Sequence, residues 1–393
     1  SMRRHVSDEL KSVQGIDAVA APAGLAAELR SYQQLGVAWL QFLREYQFNG
    51  VLADDMGLGK TIQTLSHLLL EKEAGRLDPP ALIVAPTSVL SNWQREAERF
   101  TPGLKCLVLH GPQRAEYYQK LSEYDLIVTS YALLNRDLSL HQEQNYHSLI
   151  LDEAQAIKNP RAKTAQAARE IKATHRLCLA GTLLENHLGE LWSLFHFLMP
   201  GFLGSQKMFT QLFRTPIEKH QDGIRQLQLQ QRIAPFVLRR TKEQVARELP
   251  PKTLMVREAE LGGAQARLYE SLRLAMTKKI TNLLERKGVQ KSHIEILDAL
   301  LKLRQACCDP RLVKLESARK VKQSAKLEVL LELLEKLLSE GRKILIFSQF
   351  TSMLSLIEAE LQARNIEYSK LTGQTRKRDT AIGTFQDGVV PVF

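Results

Sequence analysis

Val51-Leu52-Ala53-Asp54-Asp55-Met56-Gly57-Leu58-Gly59-Lys60-Thr61 decides the fold. A short apolar run enters a glycine-rich turn, and helical periodicity begins near Thr61. A turn of this kind lets backbone N–H groups approach phosphate oxygens, and the following helix N-terminus adds its partial positive charge. Gly57, Leu58 and Gly59 then form a phosphate cradle, Lys60 reaches the β- and γ-phosphates, and the Thr61 hydroxyl ligates Mg²⁺. The first glycine of the pattern GxxxxGK[ST] is missing, since Asp54 stands there. Taken alone, the stretch also reads as a structural turn.

Outward from this loop, short apolar runs alternate with amphipathic stretches. The runs are Val51–Ala53, Ala81–Ala85, Cys106–Leu109, Leu126–Thr129, Leu149–Leu151 and Leu177–Ala180. Continuous apolar strands separated by helices indicate a parallel sheet covered on both faces, a doubly wound α/β lobe. We expect a loosely held lead-in over residues 1–27, this first lobe over 28–190, a mostly helical region over 191–325, and part of a second α/β lobe over 326–393. In that last region the pattern predicts helices through Leu338 and from Met353 to Ala363, with strands at Lys343–Phe347 and Glu367–Leu371. The stretch Val389–Phe393 reads as a further apolar strand, at which the second lobe is cut and left with an unpaired edge.

A second motif supports the nucleotide reading. Leu149-Ile150-Leu151-Asp152-Glu153-Ala154-Gln155 delivers adjacent carboxylates from the end of an apolar strand, where open α/β sheets bind ligands. Asp152 is placed to hold Mg²⁺ through water, and Glu153 to orient the attacking water or accept its proton. An acidic helix cap is the plainer alternative. Upstream, Gln33 has an amide able to donate to and accept from an adenine edge, although a surface helix is the default reading there.

The balance of 54 Lys+Arg against 43 Asp+Glu gives +11 over 393 residues, which favours a polyanionic partner, nucleic acid above all. None of the four cysteines forms a CxxC pair, so neither a disulfide framework nor a zinc site is suggested, and a reducing compartment fits. No apolar stretch is long enough to span a membrane, and the N-terminus lacks a hydrophobic signal core. Ser1-Met2 reads as a cloning remnant.

The order of Tyr32-Gln33, Ala53 to Thr61, Asp152-Glu153-Ala154-Gln155, then Gly181-Thr182 with Glu185-Asn186, resembles the Swi/Snf family of superfamily-two helicase-like ATPases. Pro86 to Trp93 and Thr129-Ser130-Tyr131 resemble that family's DNA-contacting segments. Leu238-Arg239-Arg240-Thr241-Lys242 and Glu248-Leu249-Pro250-Pro251-Lys252 resemble its inter-lobe region. Leu303-Arg304-Gln305-Ala306-Cys307 and Phe347-Ser348-Gln349-Phe350 resemble its second-lobe segments. The brevity of the helical insertions points to a bacterial member.

The resemblance implies two RecA-like lobes with ATP and Mg²⁺ between them and double-stranded DNA across both. It implies a translocase that remodels protein–DNA complexes without separating strands, cytoplasmic and nucleoid-associated in a bacterium or nuclear in a eukaryote. Ser88, Ser130, Lys158 and Asn159 are candidate contacts to the DNA backbone, as are Arg239 and Arg240. Trp93 falls on an apolar helical face with Val89, Leu90, Ala97 and Phe100, so core packing competes with base stacking there. The sequence departs from the family at Gln155, where His is usual, at Ala180, where Ser or Thr is usual, and at Leu183, where Pro is usual. The last two flank the segment expected to couple nucleotide state to DNA grip. The family's arginine finger lies beyond the last residue, and Arg376 and Arg378 come too early to replace it, so weak turnover is expected of residues 1–393 alone. A strand-separating helicase and a nucleotide-gated DNA-binding module with little turnover remain the competing readings.

Overall fold

The structure is a computed structural model that describes residues 16, 18–181, 188–245, 254–287, 292–375 and 377–393. The chain divides into two compact units, Ser1–Pro251 and Lys252–Phe393.

The first unit is built on a seven-stranded parallel sheet. In chain order its strands are β1 (Gly50–Leu52), β2 (Ala81–Ala85), β3 (Cys106–Val108), β4 (Leu126–Ser130), β5 (Tyr146–Leu151), β6 (Ala173–Leu179) and β7 (Val237–Leu238). Their spatial order is β3-β4-β2-β5-β6-β1-β7. Six of the strands are those the apolar runs predict. Every residue of β2, β4 and β5 is buried, which is why these segments show no polar alternation. Alternate residues feed separate cores: Ala81, Ile83 and Ala85 point into one, Leu82 and Val84 into the other.

Helices α1 (Ser31–Glu45), α2 (Lys60–Glu73), α3 (Leu90–Phe100), α4 (Lys163–Glu170) and α5 (Leu188–Leu198) cover the sheet. Leu65, Leu68 and Leu69 of α2 recur at helical spacing and are buried, as are Leu90, Trp93 and Ala97 of α3. The unit runs past residue 190, where the pattern turns helical, because β7 returns from that stretch to pair with β1, aligning Val237 with Val51 and Leu238 with Leu52. A strand of two residues is too short to leave a period in the sequence. The described end of the lead-in, from Ala23 to Ala26, is tied to the unit. The Glu73 carboxylate accepts bonds from the N–H groups of Ala23 and Gly24, at 3.1 and 2.8 Å, and Ala26 N–H donates to the Phe100 carbonyl at 2.8 Å.

The second unit contains α6 (Gly263–Lys287), α7 (His293–Cys308), α8 (Ala325–Ser339), α9 (Thr351–Ala363) and α10 (Arg378–Gln386). The buried Gln265 amide joins three of these helices: it donates to the Ala306 carbonyl at 3.0 Å and accepts from Ala325 N–H at 2.9 Å. Leu327 and Leu334 of α8 pack with Met353, Ile357 and Leu361 of α9 and with Val392. The strands expected at Lys343–Phe347 and Glu367–Leu371 appear only as single parallel bridges, Ile344 to Val392 and Tyr368 to Val392. Val389–Phe393 therefore does not form an unpaired edge. Its end lies between the other two segments, with Ile344 N–H bonded to the Pro391 carbonyl and Ser369 N–H to the Val392 carbonyl, both at 2.9 Å. Arg376 lies outside the described residues.

Candidate functional site

The loop from Ala53 to Gly59 leaves the carboxyl end of β1 and opens into α2. Gly57 and Gly59 have φ of 86° and 80°, in the left-handed region that favours glycine. A Cβ at Gly59 would also lie 2.5 Å from Gln33 Nε2 and displace that amide. Leu58 is buried, and its carbonyl accepts from Gln33 Nε2 at 3.2 Å and from the Tyr32 hydroxyl at 3.0 Å. Gln33 Oε1 accepts from Arg30 N–H at 2.9 Å. The Gln33 amide thus braces the phosphate loop with one end and the start of α1 with the other, a role that the sequence did not disclose.

Lys60 Nζ donates to the carbonyls of Asp54 and Asp55, at 2.7 and 3.4 Å. Burial lowers its pKa, while the carboxylates of Asp54, Glu153, Asp152 and Asp55 pull the other way. Lys60 and the two carboxylates predicted as its partners are therefore within electrostatic reach. Thr61 follows Lys60 in the first turn of α2, half-buried.

Asp152 and Glu153 lie just beyond β5. Asp152 N–H extends the sheet by bonding the Val84 carbonyl at 2.8 Å, and the Tyr131 hydroxyl donates to the Asp152 carbonyl at 2.6 Å. The Asp152 carboxylate accepts from Trp93 Nε1 at 2.8 Å and from Glu153 N–H at 2.9 Å. Burial raises the Asp152 pKa, the Trp93 hydrogen bond opposes that rise, and the Glu153 charge adds to it. Trp93 is 1% exposed, so base stacking is excluded for it. Its indole joins the core to a predicted metal-holding carboxylate. Glu153 has φ of 48°, uncommon for a non-glycine residue. Its carboxylate accepts from Gln155 Nε2 at 2.6 Å and lies 4.0 Å from where a Cβ on Gly181 would stand. Gln155, the departure from the usual His, still supplies a donor to Glu153. Ala180 is buried, with its N–H bonded to the Leu52 carbonyl at 3.1 Å. Thr182, Leu183, Glu185 and Asn186 lie outside the described residues, as do residues 248–252.

Asp54 explains its own departure from glycine. It is fully buried and forms a two-pronged pair with Arg240, whose Nε lies 2.9 Å from Oδ1. Arg240 also donates to Gln63 Oε1 at 2.7 Å and to the Tyr32 carbonyl, and its guanidinium lies over the Tyr32 ring at 5.3 Å. A buried carboxylate needs such a partner. Arg240, expected beside DNA phosphate, is instead an internal clasp joining the end of β7 to the phosphate loop.

The other candidate DNA contacts divide. Ser88 is exposed on the turn at Thr87–Val89. Lys158 is exposed, with Nζ 3.9 Å from Glu190, and the exposed Asn159 accepts from Arg161 N–H at 3.0 Å. Arg239 is exposed. Ser130 is 2% exposed, and its hydroxyl caps the helix Tyr131–Arg136 by accepting from Leu133 N–H at 3.3 Å, so its expected place against DNA is corrected. In the second unit Arg304 donates to Gln349, joining the segments around Leu303 and Phe347.

Comparison with known proteins places these features in a family. The model of the SNF2-related domain matches residues 32–312. An ATP-dependent helicase/translocase of Bacillus subtilis, YwqA, is 40% identical over 375 residues, which cover 93% of this chain and 40% of YwqA. The ISWI chromatin-remodeling complex ATPase ISW1 of Saccharomyces cerevisiae is 35% identical over 373 residues, 91% of this chain and 33% of that protein. The chain thus spans less than half the length of these curated relatives. The Sulfolobus solfataricus SWI2/SNF2 ATPase core, solved in complex with double-stranded DNA, superposes with a TM-score of 0.58 at 37% identity, over 96% of this chain and 79% of that one. With a family match over more than half its length and the site residues assembled on an α/β sheet of RecA type, the chain belongs to the SNF2-related family.

Proposed function

We propose that this chain is the motor core of a protein that hydrolyses ATP when bound to double-stranded DNA, and that it translocates along the duplex to remodel protein–DNA complexes without separating strands. The observation that carries the reading is the common end of the sheet shared by the glycine loop with Lys60 and by Asp152 and Glu153. Gly57 to Thr61 bind the phosphates, Lys60 stabilises charge developing on the transferring phosphoryl group, and Glu153 orients the attacking water and accepts its proton. The hard oxygen donors of Thr61 and Asp152 fit Mg²⁺, which would neutralise phosphate charge there. The net charge of +11 and the exposed Ser88, Lys158 and Arg239 favour a phosphate-backbone partner read without a sequence code. Relatives described as a helicase/translocase and a chromatin-remodeling ATPase support the same class.

Phosphate release measured on the whole protein with no nucleic acid, duplex DNA, single-stranded DNA and RNA tests this, alongside a strand-displacement assay. Stimulation by duplex without displacement is expected. Displacement would establish a strand-separating helicase, and duplex binding without turnover would establish a nucleotide-gated binding module.

A further inference from the structure

The segment after β7 runs beside the phosphate loop and is tied to it at successive points. Ala53 N–H bonds the Leu238 carbonyl at 2.7 Å, Asp55 N–H bonds the Arg240 carbonyl at 3.0 Å, and Lys242 N–H bonds Asp55 Oδ2 at 3.1 Å. Between these ties sits the buried pair of Arg240 with Asp54. The backbone of Lys242 is therefore fixed beside the loop, and its exposed side chain passes close to Gly57. Lys242 Nζ and Cε lie 3.6 and 3.7 Å from the position a Cβ would take on Gly57. No carboxylate pairs with that ammonium among the described residues, and the loop beneath it carries the positive φ angles of Gly57 and Gly59.

We propose that Lys242 is a second phosphate-binding lysine, which places its ammonium on the terminal phosphates of Mg·ATP held by the Gly57–Thr61 loop. The inference rests on the reading of that loop as the ATP site. A lysine supplies a compact cation with rotatable donors, suited to a polyphosphate whose charge exceeds what Lys60 alone can meet. Asp54 and Arg240 act here as positioning residues, because they hold the strand end from which Lys242 reaches over the loop. Lys242 also begins the short helix Lys242–Val245 of the first unit.

The test uses the whole protein and a non-hydrolysable ATP analogue with Mg²⁺, titrated calorimetrically at several salt concentrations. Lys242→Gln is expected to weaken binding by about tenfold, the worth of one charge-assisted contact, and to flatten its salt dependence. Lys242→Arg should restore most of both, and the unfolding midpoint should stay unchanged because the side chain is exposed. Lys60→Gln, measured in parallel, reports on the loop itself. Weakening by Lys60→Gln with Lys242→Gln within twofold of the parent overturns the inference and leaves the site standing. An unchanged affinity in both variants overturns the site and the inference together. A loss of duplex affinity by Lys242→Gln with nucleotide affinity intact also overturns it, and assigns the lysine to nucleic acid.

Discussion

Trp93→Phe isolates one hydrogen bond of the site. The indole is 1% exposed and donates at 2.8 Å to Asp152, a carboxylate whose pKa burial already raises. Phenylalanine keeps much of the apolar body in the core and removes the N–H. A hydrogen bond to a charged group contributes about 1.5–3 kcal/mol, and a buried acceptor left without its donor loses a comparable amount. If that energy is spent on fixing Asp152 for the metal, turnover at subsaturating Mg²⁺ should fall by roughly 10- to 150-fold. Raised Mg²⁺ should recover part of the loss. The assay is phosphate release by the whole protein, with duplex DNA, across a Mg²⁺ series. The unfolding midpoint should drop by only a few degrees, since Trp→Phe leaves a far smaller cavity than a change to alanine. A folded Trp93→Phe protein whose turnover and Mg²⁺ dependence both stay within twofold of the parent would refute the assignment of Trp93 to the metal-holding carboxylate.

Three further outcomes are expected. Glu153→Gln should retain nucleotide binding and lose turnover by at least about a hundredfold, the usual scale for removing general-base assistance, and single-turnover phosphate release would show otherwise. The first unit should lose stability on acidification, because burial depresses His67 to about 3 and His141 and His175 to about 4, all below the ordinary value of an unfolded histidine. The unfolded chain takes up these protons first, so the stability present above about pH 6.5 declines by up to about 1.4 kcal/mol per pH unit for each histidine as pH falls towards 4. Denaturant midpoints at pH 7.5, 6 and 5 check this, and a flat profile would contradict it. Duplex binding should fall linearly on a log–log salt plot by about 0.9 per neutralised phosphate, and fluorescence anisotropy on unrelated sequences would expose any strong sequence preference.

Much of the fold was legible because parallel strands buried on both faces leave unbroken apolar runs, as at Ala81–Ala85 and Leu126–Thr129. The glycine turn with Lys60 and the pair Asp152-Glu153 could be picked out because each is a run of adjacent residues, and the structure brings both to one end of the sheet. Long-range partnerships were not legible. Trp93 reaches Asp152 across 59 positions and Arg240 reaches Asp54 across 186, and neither pairing leaves a local pattern. One trace did exist: a carboxylate at the motif's first glycine had to be either exposed or paired, and Asp54 is buried. Ser130 and Arg240 were misplaced for a related reason. A polar residue inside a contact-bearing motif looks the same in sequence whether it faces outward or caps a helix and clasps a strand.

The late arrival of β7 bears on how this protein can be dissected. A fragment ended at residue 190 would keep every first-lobe strand that the apolar runs announce and still be defective. The outer side of β1 would lose its parallel neighbour, and the Asp54 carboxylate would be stranded without its guanidinium. Removing one partner of a buried ion pair costs about 3–5 kcal/mol, a large share of what holds an ordinary domain together. The smallest autonomous piece of the first unit therefore extends at least through Arg240. The part of the helical middle up to Arg240 is structural material of the first lobe, and proteolysis should spare it together with that lobe.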